Sequence, residues 1–214
     1  MSKLFKIQKP KFIDELEEVE NVQFEIIESE KIQNKVIENI LIEQKNDLGI
    51  TIDSCIFKNV VFDSCILSNI DLLDTRFENC DLSNISFIGG SINRVEFLNC
   101  KLLGSRFDEC NIKEVLFENS IAKYINFSFS KIKGMNIDRC NFEDAILQEV
   151  KHEKLALKET NLSNVYLNKT YLNKIDFTTC DIQGIDVDIQ NISGAIVTPM
   201  QALDLTRLMN LTIK

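Results

Sequence analysis

From Ile52 to Val197 a large apolar side chain recurs at every fifth residue. The stretch contains thirty such positions, and Leu, Ile, Phe or Val fills twenty-eight of them; Ala122 and His152 are the exceptions. Ten of the fourteen phenylalanines fall in this class, including Phe57, Phe77, Phe97 and Phe117. A second class lies two residues earlier and holds every cysteine: Cys55, Cys65, Cys80, Cys100, Cys110, Cys140 and Cys180. Its other members are mostly Val, Ile, Ser, Thr, Ala and Gly.

A helix would place apolar residues three and four apart, and a strand would alternate them. At spacing five both classes face inward only if the chain turns a corner every five residues. Four corners close a square coil of twenty residues, stacked on the next at about the 4.8 Å inter-strand spacing. Residues twenty apart should then form ladders, such as Phe57, Phe77, Phe97, Phe117, Ile137, Leu157, Phe177 and Val197. A small-residue ladder runs Cys80, Cys100, Ser120, Cys140, Thr160 and Cys180. Cysteine suits that tight position as a small buried hydrophobe. Cys80 and Cys100 should sit one coil apart, and reduced structural thiols are expected there. Outward-facing Asn59, Asn79, Asn99 and Asn119 should form an amide ladder at a corner.

The pattern frays at both ends. Val22, Ile27, Ile32, Ile37 and Ile42 keep the register, whereas Asp47 breaks it. We therefore expect an extension over 1–19 and the solenoid over 20–197, irregular before 50 with a bulge near Asp47. Residues 13–30 carry eight acidic residues and no Lys or Arg, which reads as a solvated lid. At the other end Thr198-Pro199 is a helix start, with Thr as N-cap and Pro at the first helical position. It predicts a capping helix within 198–214, ending near Asn210, with Leu211–Lys214 extended. Leu203, Leu205, Leu208 and Met209 leave that helix apolar over more than one face. An exposed stripe of this kind suits a homodimer interface, and capping alone is the alternative.

Units such as Cys80-Asp81-Leu82-Ser83-Asn84 and Cys110-Asn111-Ile112-Lys113-Glu114 resemble the pentapeptide-repeat family's pattern, roughly A(D/N)LXX. The resemblance covers 52–197 and reaches more loosely back to Val22. It implies an all-β fold: a right-handed quadrilateral parallel β-helix of about eight coils with a short C-terminal α-helix cap. Gyrase-protecting members of the Qnr and MfpA types bear on function. They imply a non-enzymatic DNA mimic that binds a type II topoisomerase, DNA gyrase or topoisomerase IV, and modulates fluoroquinolone sensitivity. The unbroken register lacks the interrupting loops of the Qnr type. A structural or interaction scaffold for another protein is the alternative.

Composition narrows this further. The formal net charge of −9 speaks against direct nucleic-acid binding, which needs Lys and Arg to displace counterions. No apolar run approaches a transmembrane span, and the basic segment Met1–Phe12 lacks the apolar core of a secretory signal; a cytoplasmic protein is expected. The seven cysteines form no CxxC pair, and the lone His152 has no catalytic neighbours. No catalytic, cofactor or metal site is expected. On the Phe57–Phe117 face, Glu78, Glu96, Glu118 and Asp138 should point outward as an acidic, partner-facing stripe, diluted by Lys58, Arg76, Arg139 and Lys158.

Overall fold

A computed structural model describes residues 3–209. The fivefold spacing folds as expected, into a parallel β-solenoid of about seven turns with a short C-terminal helix. From Lys31 onward every wall pairs in twenty-residue register, while Glu17–Glu18 pairs with Lys35–Val36 eighteen residues on. On the first wall Ile32, Ile52, Leu72, Ile92, Ile112, Ile132 and His152 stack in sequence. The second stacks Ile37, Phe57, Phe77, Phe97, Phe117, Ile137 and Leu157. The third and fourth walls begin at Leu41–Glu43 and Asn46–Leu48 and continue as single bridges, from Val61↔Asp81 and Ile66↔Ser86 upward. The expectation was about eight coils. On the first wall, ladder pairing stops at the seventh rung, Lys151–His152.

The corners have one backbone signature. Among the described residues thirty have positive φ, twenty-four of them non-glycine and six glycine, and all fall in one class spaced by five between Asn34 and Gly194. Asn and Asp tolerate this left-handed region best among residues with a Cβ, which explains their abundance at the corners. The N–H of a corner residue donates to the coil above, as from Asn59 to Glu78 and from Asn79 to Leu98. No hydrogen bond among the described residues joins successive side chains of the expected ladder Asn59, Asn79, Asn99 and Asn119; Asn59 Nδ2 donates instead to Asn39 Oδ1, one coil below, at 2.9 Å. Higher up, Arg139 Nε donates to Asn119 Oδ1.

The interior is a stack of aromatic rings. Phe57–Phe77, Phe77–Phe97 and Phe97–Phe117 lie 4.9, 5.2 and 4.7 Å apart, nearly parallel. Phe107 meets Phe97 and Phe117 edge-on from the fourth wall. The small class does more than leave room. Cys55, Cys65, Cys80, Cys100 and Cys110 each donate to the backbone carbonyl twenty-three residues earlier. Ser105, Ser120, Ser130, Thr160 and Thr170 do the same. That carbonyl belongs to the large residue of the coil below. The small position therefore favours a compact side chain carrying one donor.

Three departures mark the ends. Residues 20–30 do not form a first irregular coil: Gln23–Ile27 is a helical turn that buries Ile26 rather than Ile27 across the open end. Asp47 makes no bulge. It pairs in register with Leu67, because its charge is met by Lys45 Nζ at 2.5 Å. Lys45, buried in a small-class position, also donates to the carbonyls of Ile27 and Ser29, tying the lid to the tower. At His152, Nε2 lies 2.6 Å from the carbonyl oxygen of Tyr171 and the chain bends at Glu153–Lys154. The core histidine thus finds a hydrogen bond, at the expense of a broken strand.

The far end closes with the helix Pro199–Leu205, capped by a reciprocal Thr198–Gln201 box, followed by a tighter turn over Thr206–Met209. Gln201 Nε2 donates to the carbonyls of Phe177 and Cys180, and Arg207 donates to that of Ile185. These side chains satisfy backbone acceptors that no further coil reaches. The stretch expected to run extended, Leu211–Lys214, and the helix end near Asn210 lie outside the described residues.

Candidate functional site

The expected acidic stripe lies on the second wall, but its charges are matched. Glu78 and Glu96 both meet Arg76, at 3.3 and 2.8 Å. Glu118 meets Arg139; Asp138 meets Arg139 at 2.7 Å and Lys158 at 3.4 Å. Glu96 and Asp138 are moreover buried. Of the residues expected to dilute the stripe, Arg76, Arg139 and Lys158 pair with it, and Lys58 pairs with Glu38.

Burial along the row that holds Glu96 has a cause that the repeat gives no hint of. The N-terminal segment lies along this wall, crossing the coils, held by its backbone. The N–H of Lys11 donates to Asp74 Oδ1 at 2.8 Å, and that of Gln8 to Glu114 Oε2 at 2.6 Å. Further along, Asn136 grips Phe5 twice: Oδ1 accepts from its N–H at 3.1 Å and Nδ2 donates to its carbonyl at 2.9 Å. Phe12 packs under the Arg76 guanidinium, 5.5 Å from the ring centre. Pro10 is buried, and Leu4, Ile7 and Phe12 are half-buried. Residues 3–12, within the expected extension, thus form a strap on the tower.

Asp74 anchors the strap through a fixed carboxylate. It sits at a corner with φ of 47° and takes a two-point contact from Arg94. Burial pushes its pKa up, but the Arg94 guanidinium and the Lys11 N–H outweigh that and hold it below the usual range. A carboxylate with a lowered folded pKa stabilises above its unfolded value, and the contribution is lost as pH falls through the folded one. Amide exchange of Phe5, Gln8 and Lys11, corrected for intrinsic rates, is therefore expected to lose protection below about pH 4. Unchanged protection of Lys11 in Asp74→Ala would separate the strap from Asp74.

At the C-terminal end Leu205 and Leu208 pack against the core. Of the expected dimer surface, this leaves Leu203 and Met209 exposed, joined by Met200. Two further apolar side chains stand out at the corners: Tyr124 and Phe129, half-exposed, with φ of 61° and 62°.

The cysteines are enclosed by the coils. All seven are free and buried. Burial pushes the thiol pKa up to about 11 for Cys55 and about 12 for Cys110 and Cys140. Cys80 and Cys100 are within hydrogen-bond reach of each other and remain unbridged. A thiol-reactive dye at pH 8 is expected to label none of them in the folded protein and all seven in guanidinium. Rapid labelling of even one native thiol would contradict this packing. Among the described residues no group of His, Cys, Asp and Glu is placed to hold a metal ion.

Residues 50–127 match the family model described as a pentapeptide repeat region. The chain carries a pentapeptide-repeat region. The same corner spacing and coil pairing continue beyond the matched segment, down to Asn34 and up to Gly194. Among solved structures, trypsin-treated QnrB1, a plasmid-mediated fluoroquinolone resistance protein, is 18% identical with a TM-score of 0.45. That match covers 84% of this chain and all of that one. HetL, a pentapeptide repeat protein involved in heterocyst differentiation regulation from the cyanobacterium Nostoc, is 13% identical with a TM-score of 0.26. It covers 78% of this chain and 91% of that one. Neither likeness carries functional weight. No curated protein sequence matches this chain.

Proposed function

We propose that this pentapeptide-repeat protein is a non-enzymatic binding scaffold that presents its walls to a protein partner. The observation carrying this reading is that the second wall already holds an extended length of polypeptide by its main chain, through Asp74, Glu114 and Asn136. The inward side chains, cysteines included, are committed to packing and to hydrogen bonds between coils. The seven free thiols suit a reducing compartment such as the cytoplasm. No helix among the described residues is long and apolar enough to cross a membrane.

The narrower reading, a DNA mimic for gyrase or topoisomerase IV, draws on the net charge of −9 and the straight stack of coils. A mimic needs an open negative face. The stripe of Glu78, Glu96, Glu118 and Asp138 does not supply one, being ion-paired and partly buried. Eight of the 33 acidic residues lie instead in the lid, residues 13–30. A supercoiling assay with and without ciprofloxacin separates the two readings. At micromolar protein we expect neither inhibition of gyrase nor rescue from the drug. Either effect would overturn the scaffold reading and install the mimic.

A further inference from the structure

Between Lys11 and Gln8 the strap matches the rise of the wall beneath it; from Gln8 to Phe5 the acceptor moves on by one coil and two residues, from Glu114 to Asn136. Leu4, Ile7 and Pro10 turn inward at every third residue, and the N–H groups that the wall accepts belong to Phe5, Gln8 and Lys11, again three apart. Three residues of an extended left-handed chain rise about 9.3 Å. Two coils of the tower rise about 9.6 Å. Asp74 and Glu114 are two coils apart, so one chain turn carries a donor from one carboxylate to the next. Residues 3–12 carry Lys3, Lys6, Lys9 and Lys11 and no acid, over a corner that carries Glu114 and Asp74, the latter paired with Arg94.

The wall is shaped for this occupant. Its outward row, Arg76, Glu96, Leu116 and Asn136, is half-buried or buried throughout, whereas the same row on the first wall, Asp71, Ser91, Asn111, Lys131 and Lys151, is exposed. Gly134 continues the corner series above Glu114; a Cβ there would meet Glu114 Oε1 at 3.2 Å, so glycine leaves room for that carboxylate. Recognition runs mainly through backbone N–H and C=O groups, which any extended segment presents. Side-chain selection is limited to an apolar residue at every third place and a proline, which needs no N–H partner.

We infer that the edge between the first and second walls is a docking groove for an extended, basic, proline-containing peptide. Residues 3–12 are its resident ligand, replaceable by a partner segment with apolar residues three apart and lysines between them. The inference rests on the binding-scaffold reading and names its ligand. The strap then limits access, since a partner segment must compete with a tethered copy of its own chemistry.

The test keeps the whole chain. A protease site replaces the exposed Ile13–Glu15 link, the protein is cut, and a labelled synthetic peptide of residues 1–13 is added while anisotropy is followed. We expect saturable exchange in the micromolar range at one peptide per tower, and none into uncut protein. Ile7→Asp in the peptide, or Glu114→Gln or Asn136→Leu in the tower, should weaken binding at least about tenfold, as loss of one or two hydrogen bonds or an apolar anchor requires. Failure of the peptide to enter a cut tower whose circular dichroism is unchanged would overturn the groove. So would binding indifferent to all three substitutions, or equal entry into uncut protein. None of these outcomes bears on gyrase, and gyrase inhibition would leave the peptide result standing.

Discussion

Phe97→Ala is expected to lower the free energy of unfolding by about 3–5 kcal/mol. Phe97 is fully buried, stacked between Phe77 and Phe117 at 5.2 and 4.7 Å, with Phe107 edge-on at 5.8 Å. Truncation removes the transfer free energy of the ring and leaves a cavity that the neighbours cannot fill, because each is pinned to its own coil by ladder pairing. Phe97→Leu, which the repeat tolerates at Leu72 and Leu82, should cost under about half as much. Urea unfolding followed by circular dichroism measures both. Each coil touches only its neighbours, so the loss should also show as early local opening around Ser91–Leu98 in hydrogen exchange. A loss below about 1 kcal/mol for the alanine variant would mean that the rings do not form a continuous stack.

Asp47→Ala is expected to destabilise by roughly 3 kcal/mol, the lower end for breaking a buried ion pair, since Asp47 keeps some contact with solvent. The damage comes from Lys45, whose buried ammonium would keep two carbonyl partners and lose its counter-charge. The informative variant is the pair Lys45→Val with Asp47→Leu, which restores a regular repeat unit. Buried ion pairs replaced by well-packed apolar residues are often neutral or stabilising. The double variant should therefore recover the loss, with the lid over Glu17–Ile27 held more loosely because its two carbonyl contacts are gone. Thermal unfolding of the three variants decides this. An Asp47→Ala protein as stable as the parent would show the pair to be solvated and irrelevant.

The coil, its ladders, the aromatic interior and the helical cap were legible because one spacing controls them all. A residue every five that must be buried leaves the chain few other shapes, and Thr198-Pro199 announces its own helix. Three features escaped for physical reasons. Asp47 looked like a break because a carboxylate in an apolar class normally is one; Lys45, two residues earlier in the small class, was the signal that its charge is matched. The donor role of the cysteines was masked by their value as small hydrophobes, although the recurrence of Ser and Thr beside Cys pointed to it.

The strap escaped because its period is three and its partner residues lie 63, 106 and 131 positions away. Leu4, Ile7 and Pro10 gave its inward face, and Leu116 on an outward row gave a trace of the surface it covers. The stripe of Glu78, Glu96, Glu118 and Asp138 was placed on the right wall with the wrong character. Linear spacing shows which residues share a face, whereas pairing depends on which neighbours rise from the adjacent coil.

The stacking of one coil per twenty residues is tested most directly by a distance. Val61 and Asp181 lie on the third wall, 120 residues apart in the chain and joined by six successive bridge steps. Both are exposed, and the seven native thiols are buried. Spin labels on Val61→Cys and Asp181→Cys should give a single distance, by pulsed electron resonance, near 29 Å before label length is added, six times about 4.8 Å. Moving the second label from Asp181→Cys to Asn161→Cys should shorten it by one coil. A broad distribution, or a distance that does not fall on moving the label by twenty residues, would contradict the stacked square coil.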